Sequence, residues 1–312
     1  MFTAIVGFAV AVFLASTTAQ AQTQPQDPST AGRMAKMGAL MNAPLSVMAL
    51  RGGVYWVSGG VPNTGFVVGE GGVVAIDAQT FVPTARRELA EIAKITAEPV
   101  NAIILTHSDP DHINGLPAFP VGSQIIAQEN AKAEIQAGLN NSHPGGMPSP
   151  PALKDYVPTL VVGDSKDLVL DGVRFELMHV APAHTDGDLI VYLPVQKIVF
   201  AGDLLTPGMS AYPVIHLNKG GSSLGWIKSA KAMMALDADI FISGHGDRLD
   251  KAQLAQRIKD AEARRRQVQD LVAQGKSLDQ IKAALDGGLQ PSGDGAQFPS
   301  FAETTYQELT SK

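Results

Sequence analysis

Two histidines and two aspartates lie within one six-residue stretch, His107-Ser108-Asp109-Pro110-Asp111-His112. The stretch directly follows the apolar run at residues 102–105, which is typical of a buried strand. Imidazole and carboxylate groups are poor material for a core, but they are ligands of Zn, Fe and Mn. The stretch therefore indicates a metal site at the end of a strand.

Three later segments share this design, in which an apolar strand ends in a polar turn beside glycine. They contribute one further candidate ligand each, namely His184, Asp203 and His245. Glycine allows a sharp turn, so side chains from separate strands can meet there. The chain contains no cysteine, so a transition metal must be held by His, Asp or Glu, and thiol chemistry and disulfides are excluded.

Taken together, the four segments resemble the metallo-β-lactamase superfamily over about residues 53–250. That family has an H-x-H-x-D-H motif, then a His in a turn, an Asp after a strand and a final His beside glycine. The residues that match this pattern, in order, are His107, Asp109, Asp111, His112, His184, Asp203 and His245.

The resemblance implies two divalent metal ions, with zinc as the expected metal. The first metal would be held by His107, Asp109 and His184, the second by Asp111, His112 and His245, and Asp203 would bridge them. A hydroxide held between two metals is a nucleophile at neutral pH. Asp111 would be the catalytic residue that orients this hydroxide and takes up its proton.

Asp109 departs from the family pattern, which most often has His at this position. A carboxylate there is similar to the flavodiiron branch of the family. The charge of two divalent metals is balanced by three carboxylates and one hydroxide, whereas a His at position 109 would leave one positive charge. A less positive site favours harder metals, so iron or manganese are alternatives to zinc. Asp109 could also act as an outer hydrogen-bond acceptor rather than a ligand.

The function implied is that of an exported dinuclear-metal hydrolase using a metal-bound hydroxide. Its substrate would be a small ester, lactone, thioester or amide, and a β-lactam is one candidate. His216 and Lys219 are candidate contacts to an anionic or carbonyl group of the substrate, or else solvated surface residues. The alternatives are a flavodiiron-like non-haem iron redox protein and a metal-binding protein without catalysis.

Residues 1–21 read as a secretory signal peptide, with an apolar segment at residues 6–15 and the small-residue pattern Ala19-Gln20-Ala21 before the cleavage point. The expected location is therefore periplasmic or secreted. An uncleaved anchor is the rival interpretation, although the apolar segment is short for a bilayer span.

The amino-acid composition limits the kinds of binding partner expected for this chain. Hydrophobic residues make up 45% and charged residues 17% of the 312 residues, a globular balance. The net charge of −6 argues against nucleic acid as a partner. No second long apolar run occurs, so no stable membrane association is expected after signal cleavage. The sequence does not specify the oligomeric state.

The fold class expected is α+β, a four-layer αββα sandwich of the metallo-β-lactamase type. Periodicity predicts strands at residues 54–57, 65–68, 73–77, 100–105, 124–127, 168–170, 174–179, 189–193, 198–201 and 240–243. It predicts helices at residues 82–97, 130–139, 224–236, 250–274 and 277–285. The predicted divisions are a flexible leader with a short helix at 22–50, a catalytic domain at 51–250 and a C-terminal helical extension packed on it at 251–312. A Pro/Gly-rich surface loop is predicted at 140–152.

Overall fold

The computed structural model describes residues 38–39, 41–138, 149–285 and 298–311. Residues 39–312 form one compact unit. The predicted signal peptide and most of the predicted leader lie outside the described residues, as does most of the predicted loop at 140–152. Two β-sheets form the framework of the unit at residues 39–312.

The first sheet has seven strands in sequence order. They are β1 (Ser46–Ala49), β2 (Val54–Ser58), β3 (Thr64–Val68), β4 (Val73–Ile76), β5 (Val100–Ile104), β6 (Gln124–Gln128) and β7 (Leu160–Val162). Strands β1 to β4 pair antiparallel, while β4 to β7 pair parallel. Parallel strands require long crossovers, and these contain helices α1 (Val82–Ile95), α2 (Pro110–Ile113) and α3 (Glu129–Gly138).

The second sheet has five strands in the order β12-β11-β10-β9-β8. They are β8 (Ser165–Leu170), β9 (Val173–Met178), β10 (Ile190–Leu193), β11 (Ile198–Phe200) and β12 (Ile240–Ile242). All pairs are antiparallel except β11 with β12, which are joined through helix α4 (Ser223–Ala235). Three helices follow: α5 (Lys251–Ala273), α6 (Leu278–Leu285) and α7 (Phe301–Thr310).

Three apolar clusters define four layers. One cluster lies between the sheets and joins Ile76 and Ile104 of the first to Phe175 and Ile242 of the second. Another covers the opposite face of the first sheet with α1 and α3, and a third covers the second sheet with α4 and α5. This arrangement confirms the predicted αββα sandwich.

The sequence predicted most of these elements but missed strand β7 and helices α2 and α7. It also missed strand β1. Three of its four residues are exposed and one is half-buried, so it lacks the apolar alternation that reveals a strand. It is held instead by its backbone register with β2, within the segment that was predicted as leader and short helix. No helix among the described residues has the length and apolar character that a bilayer span requires.

Strands from both sheets end at one edge of the sandwich, and their following loops are bonded to one another there. The backbone N–H of Thr106 donates to Asp77 Oδ1 at 2.8 Å, and that of Gly244 donates to Gly202 O at 2.8 Å. The N–H of Leu189, just before β10, donates to Thr106 O at 2.6 Å and so joins the two sheets. The loops after β4, β5, β11 and β12 therefore converge at this edge, which is where the predicted ligands lie.

Candidate metal centre

The loop after β5 changes backbone conformation midway. Asp109 is extended and is the N-cap of the single helical turn α2, and Pro110 occupies the first helical position. The N–H of His112 then donates to Asp109 O at 2.9 Å. This switch from strand to helical turn lets side chains spaced along the stretch converge on one place.

All seven residues predicted as ligands come together at this edge. Asp109 Oδ2 lies 3.2 Å from His184 Nε2 and 3.8 Å from His107 Nε2. Asp111 Oδ2 lies 3.1 Å from His245 Nε2 and 3.7 Å from His112 Nε2. These are the two groups that the family resemblance assigns to separate metals.

Asp203 lies between the two groups. Its Oδ1 is 3.2 Å from His112 Nε2, and its Oδ2 is 3.4 Å from His245 Nε2 and 3.8 Å from His184 Nε2. Gly244 makes this approach feasible, because a Cβ at that position would lie 1.9 Å from Asp203 Oδ1. The geometry suits a carboxylate shared by two cations.

The outward-facing nitrogens of the four histidines have fixed partners. His184 Nδ1 lies 2.9 Å from Val214 O, and His245 Nδ1 lies 3.0 Å from Val61 O. A backbone carbonyl only accepts, so each Nδ1 carries a proton, and Nε2 is the inward nitrogen that can offer a lone pair to a metal once its own proton is displaced.

Asp77 fixes the other two histidines. It lies 2.8 Å from His112 Nδ1 and accepts from Thr106 Oγ1 at 2.8 Å. Thr106 Oγ1 has thereby donated its only proton, so it accepts from His107 Nδ1 at 3.0 Å. Asp77 and Thr106 were not predicted as site residues. Asp77 directly follows strand β4, the same strand-end position as the predicted ligands, and that position could have identified it.

Three buried polar atoms at the centre make no well-aligned hydrogen bond in the described part of the chain: His107 Nε2, and also His112 Nε2 and Asp203 Oδ1, which lie 3.2 Å apart. Buried polar atoms are almost always satisfied, and several unsatisfied ones that converge indicate an ion. The donor set fits divalent transition metals, because it consists of imidazole and carboxylate alone.

The ionisation of the site follows from its opposed charges. Burial disfavours the charged form of His184 and His245, yet the adjacent carboxylates outweigh it and raise their pKa to about 9 and about 10. Burial and the neighbouring His112 lower the pKa of His107 well below its usual value. Burial raises the pKa of Asp109 and Asp203, but neighbouring histidines outweigh it and hold both well below the usual range. The same carboxylates that attract protons here would attract a metal, so metal binding must displace protons.

The turn that carries His184 is held by a second buried carboxylate. Asp188 accepts from Thr185 N at 3.0 Å and from Thr185 Oγ1 at 2.6 Å. Burial raises the pKa of Asp188 to about 6. Asp188 therefore fixes the turn rather than contributing a ligand.

The two residues predicted to contact substrate both lie beside Asp109. His216 Nδ1 is 3.4 Å from Asp109 Oδ2, and Lys219 Nζ is 2.5 Å from Asp109 Oδ1. Burial and the positive neighbours of His216 lower its pKa to about 4. Substrate contact by either residue stays a prediction, but the ammonium of Lys219 is already engaged by Asp109 and, at 2.6 Å, by Glu134.

Glu134 and Phe298 are two further neighbours that sequence analysis did not identify. Glu134 lies on helix α3 and accepts from Ser108 Oγ as well as pairing with Lys219. The ring of Phe298 stacks on that of His216 with a centroid separation of 5.1 Å. Both come from distant segments whose proximity no local pattern reveals.

Potential ligand atoms within 4.8 Å of one another form three groups in the described residues. The groups are His107 with His184 and Asp203, Asp109 with His184 and His216, and Asp111 with His112 and His245. Two of them contain His184, so it lies at the junction of the donor set. The arrangement can hold two cations, with Asp203 between them.

A family model described as the metallo-beta-lactamase superfamily matches residues 57–245, more than half of the chain. The match includes every residue predicted as a ligand.

Curated relatives cover part of the chain. The 2,4-dinitroanisole O-demethylase subunit alpha of Nocardioides sp. (strain JS1661) is 28% identical over 206 residues, which are 65% of this chain and 58% of that protein. The linear primary-alkylsulfatase of Pseudomonas sp. (strain ATCC 19151) is 26% identical over 216 residues, which are 56% of this chain and 39% of that protein. The match thus spans less than two thirds of the length of either relative.

The solved structure of a metallo-beta-lactamase from Pontibacter korlensis shares the fold, with a TM-score of 0.57 and 19% identity. The match covers 70% of this chain and 99% of that chain.

Proposed function

The chain belongs to the metallo-beta-lactamase superfamily, and from that premise we propose that it is a dinuclear-metal-dependent hydrolase. The observation that carries the proposal is the double donor set around Asp203, whose carboxylate faces His112 on one side and His184 on the other. His107, Asp109 and His184 would hold one metal, and Asp111, His112 and His245 the other. Zinc is the metal we propose first.

Bound divalent metals supply the acidity that makes water a nucleophile and the positive charge that polarises a substrate bond. The protein's own residues supply orientation. Asp111 has 22% of its side chain exposed, more than any other predicted ligand, and its Oδ2 is held by His245. It is therefore placed to orient an entering water and to accept its proton.

We propose a small ester with an alkyl or aryl group as the substrate class, including sulfate esters. The names of the two curated relatives, an alkylsulfatase and an aryl methyl ether demethylase subunit, support cleavage of a bond to oxygen. Phe298 is 45% exposed beside His216 and offers an apolar surface near the site. Lactones, thioesters and amides, including β-lactams, belong in the same test because the family fold hosts many reactions.

The test is a hydrolysis panel on the full chain loaded with Zn²⁺, Mn²⁺ or Fe²⁺. The panel contains p-nitrophenyl acetate, p-nitrophenyl sulfate, a long-chain alkyl sulfate, a lactone, a thioester and a β-lactam. We expect metal-dependent turnover of an ester, and its loss in Asp111→Asn at a metal concentration high enough to keep both ions bound. The matched control is Asp167→Asn, since Asp167 pairs with Arg174 on the surface. Absence of turnover on every substrate with every metal would sink the proposal.

A second candidate is a non-haem iron redox protein, which Asp109 favours because a carboxylate near the first metal suits iron. Asp109 is buried and its Oδ2 faces His184 rather than solvent. Oxygen consumption by the iron-loaded chain with a reductant, in the absence of ester turnover, would favour this candidate over the hydrolase.

We also propose that the protein is exported and acts on a small molecule in the periplasm or outside the cell. The absence of cysteine is in keeping with an oxidising compartment. Cell fractionation with N-terminal sequencing tests this proposal, and a mature chain beginning at Gln22 is expected. Recovery of the intact chain in the cytoplasm would contradict it.

A further inference from the structure

Three imidazoles surround a single oxygen of Asp109. Oδ2 lies 3.2 Å from His184 Nε2, 3.4 Å from His216 Nδ1 and 3.8 Å from His107 Nε2. Donors that bind zinc at about 2.0–2.2 Å in a tetrahedral array lie roughly 3.3–3.6 Å apart. His216 is thus spaced from Asp109 as a ligand of the same ion would be.

Lys219 accounts for why only one oxygen of Asp109 faces the histidines. Its ammonium lies 2.5 Å from Oδ1 of Asp109, and only 4% of the Lys219 side chain is exposed to solvent. Glu134 holds the other side of the ammonium at 2.6 Å. Asp109 is therefore fixed as a one-oxygen donor, which leaves room for another ligand.

The backbone fixes His216 against His184. The N–H of His216 donates to His184 O at 2.8 Å, and the two rings are 4.4 Å apart. Phe298 stacks on the outer face of the His216 ring. His216 Nε2 is buried and has no hydrogen-bond partner in the described residues, so the ring is held by its backbone and by the Phe298 stack with Nδ1 toward Asp109.

We propose that His216 is a further protein ligand of the first metal. It would join the three ligands already assigned to that metal, and Lys219 would be the positioning residue for Asp109. This inference rests on the metal centre of the proposed function and replaces substrate contact as the role of both residues. An imidazole from a distant loop would thus supply the donor that the family usually has at position 109.

The two metals would then differ in how completely protein ligands surround them. The first would have four protein donors besides Asp203, a set that approaches the closed coordination of structural sites. The second keeps three donors, and one of them, Asp111, has the most exposed side chain of the ligand set, at 22%. In the first set His107 and His184 are each 1% exposed, while His216 beside Phe298 is 15% exposed. The second metal would therefore keep the more open coordination for an entering water.

The test is titration of the metal-free chain with Co²⁺, with visible absorption and chelator competition as readouts. We expect two ions per chain in the unaltered protein. In His216→Asn, one ion should bind at least roughly 100-fold more weakly, beyond the 10–100-fold typical of a lost outer partner, and its spectrum should change. The matched control is Phe298→Leu, which alters the packing on His216 but removes no donor, and it should retain both affinities and the spectrum.

Two ions bound by His216→Asn with unchanged affinity and spectrum would overturn the inference. If that variant does not fold, a zinc-loaded crystal of the unaltered chain decides instead, because a ligand nitrogen lies about 2.1 Å from the metal. A His216 nitrogen beyond roughly 3 Å from the metal excludes ligation. Neither readout needs substrate. If the chain turns over an ester but binds metal equally well without His216, only this inference is rejected. If metal binding depends on His216 but no substrate is turned over, only the proposed hydrolase activity is rejected.

Discussion

Replacing Lys219 with Met tests the charge balance of the buried site. Its ammonium is the shared partner of Asp109 and Glu134, at 2.5 Å and 2.6 Å. Burial lowers the pKa of Lys219, but the two carboxylates outweigh burial and raise it, so the residue is charged. The substitution removes the ammonium group that Asp109 and Glu134 share and leaves their carboxylates without it.

The expected cost is large because the pair is buried. Removing one partner of a buried ion pair costs about 3–5 kcal/mol. We therefore expect Lys219→Met to lower the free energy of unfolding of the metal-free chain by about this amount. Saturating Zn²⁺ should reduce the loss in unfolding free energy that the substitution causes, because the metal supplies positive charge beside Asp109.

Urea unfolding of the metal-free and zinc-loaded forms measures both effects. The matched control is Lys197→Met, because Lys197 pairs with Asp237 at 2.8 Å on the surface, with side chains 47% and 80% exposed. Such a pair is worth about 0–1 kcal/mol. A metal-free Lys219→Met chain no less stable than Lys197→Met would refute the reasoning.

Three further predictions concern the metal centre. Asp77→Asn should weaken metal binding about 10–100-fold in chelator competition, because Asp77 fixes the ring of His112. An unaltered metal affinity would show that this hydrogen bond does not orient the ring for metal binding. His245 has a pKa raised to about 10, so its protonation stabilises the metal-free fold below about pH 6.5, and that contribution is lost as pH rises through 10. Metal must displace this proton, so the rise in thermal midpoint on adding Zn²⁺ should be larger at pH 9 than at pH 6, and the opposite order would contradict the assignment. Gly244→Ala should abolish binding of the second ion in metal titration, since its Cβ would lie 1.9 Å from Asp203, and two retained ions would show that the loop adapts.

The sequence predicted the fold because the chemistry lies at strand ends. The apolar runs before His107 and Asp203 became strands β5 and β11 as expected, and the family resemblance was confirmed by the match over residues 57–245. The helix predicted at 250–274 begins at a capping box of Asp250 with Gln253, a signal that can be read from adjacent residues.

What the sequence could not predict depends on contacts between distant segments. In the prediction from sequence, the negative charge of Asp109 was balanced against the metals alone. Nothing in the neighbouring sequence shows that Lys219, far along the chain, would lie against it. Asp77 likewise acts through a hydrogen bond to His112 in another loop. The charge balance drawn from the sequence therefore omitted the ammonium of Lys219, which the structure places against Asp109.

Two metal ions are expected at this one edge of the sandwich. The most direct measurement is the metal content of the full chain purified from its native compartment, by elemental analysis, together with that of Asp203→Asn. We expect two transition-metal ions per chain, and fewer in the variant because Asp203 faces both groups of ligands. A native chain without transition metal that also takes up none on titration would contradict this expectation.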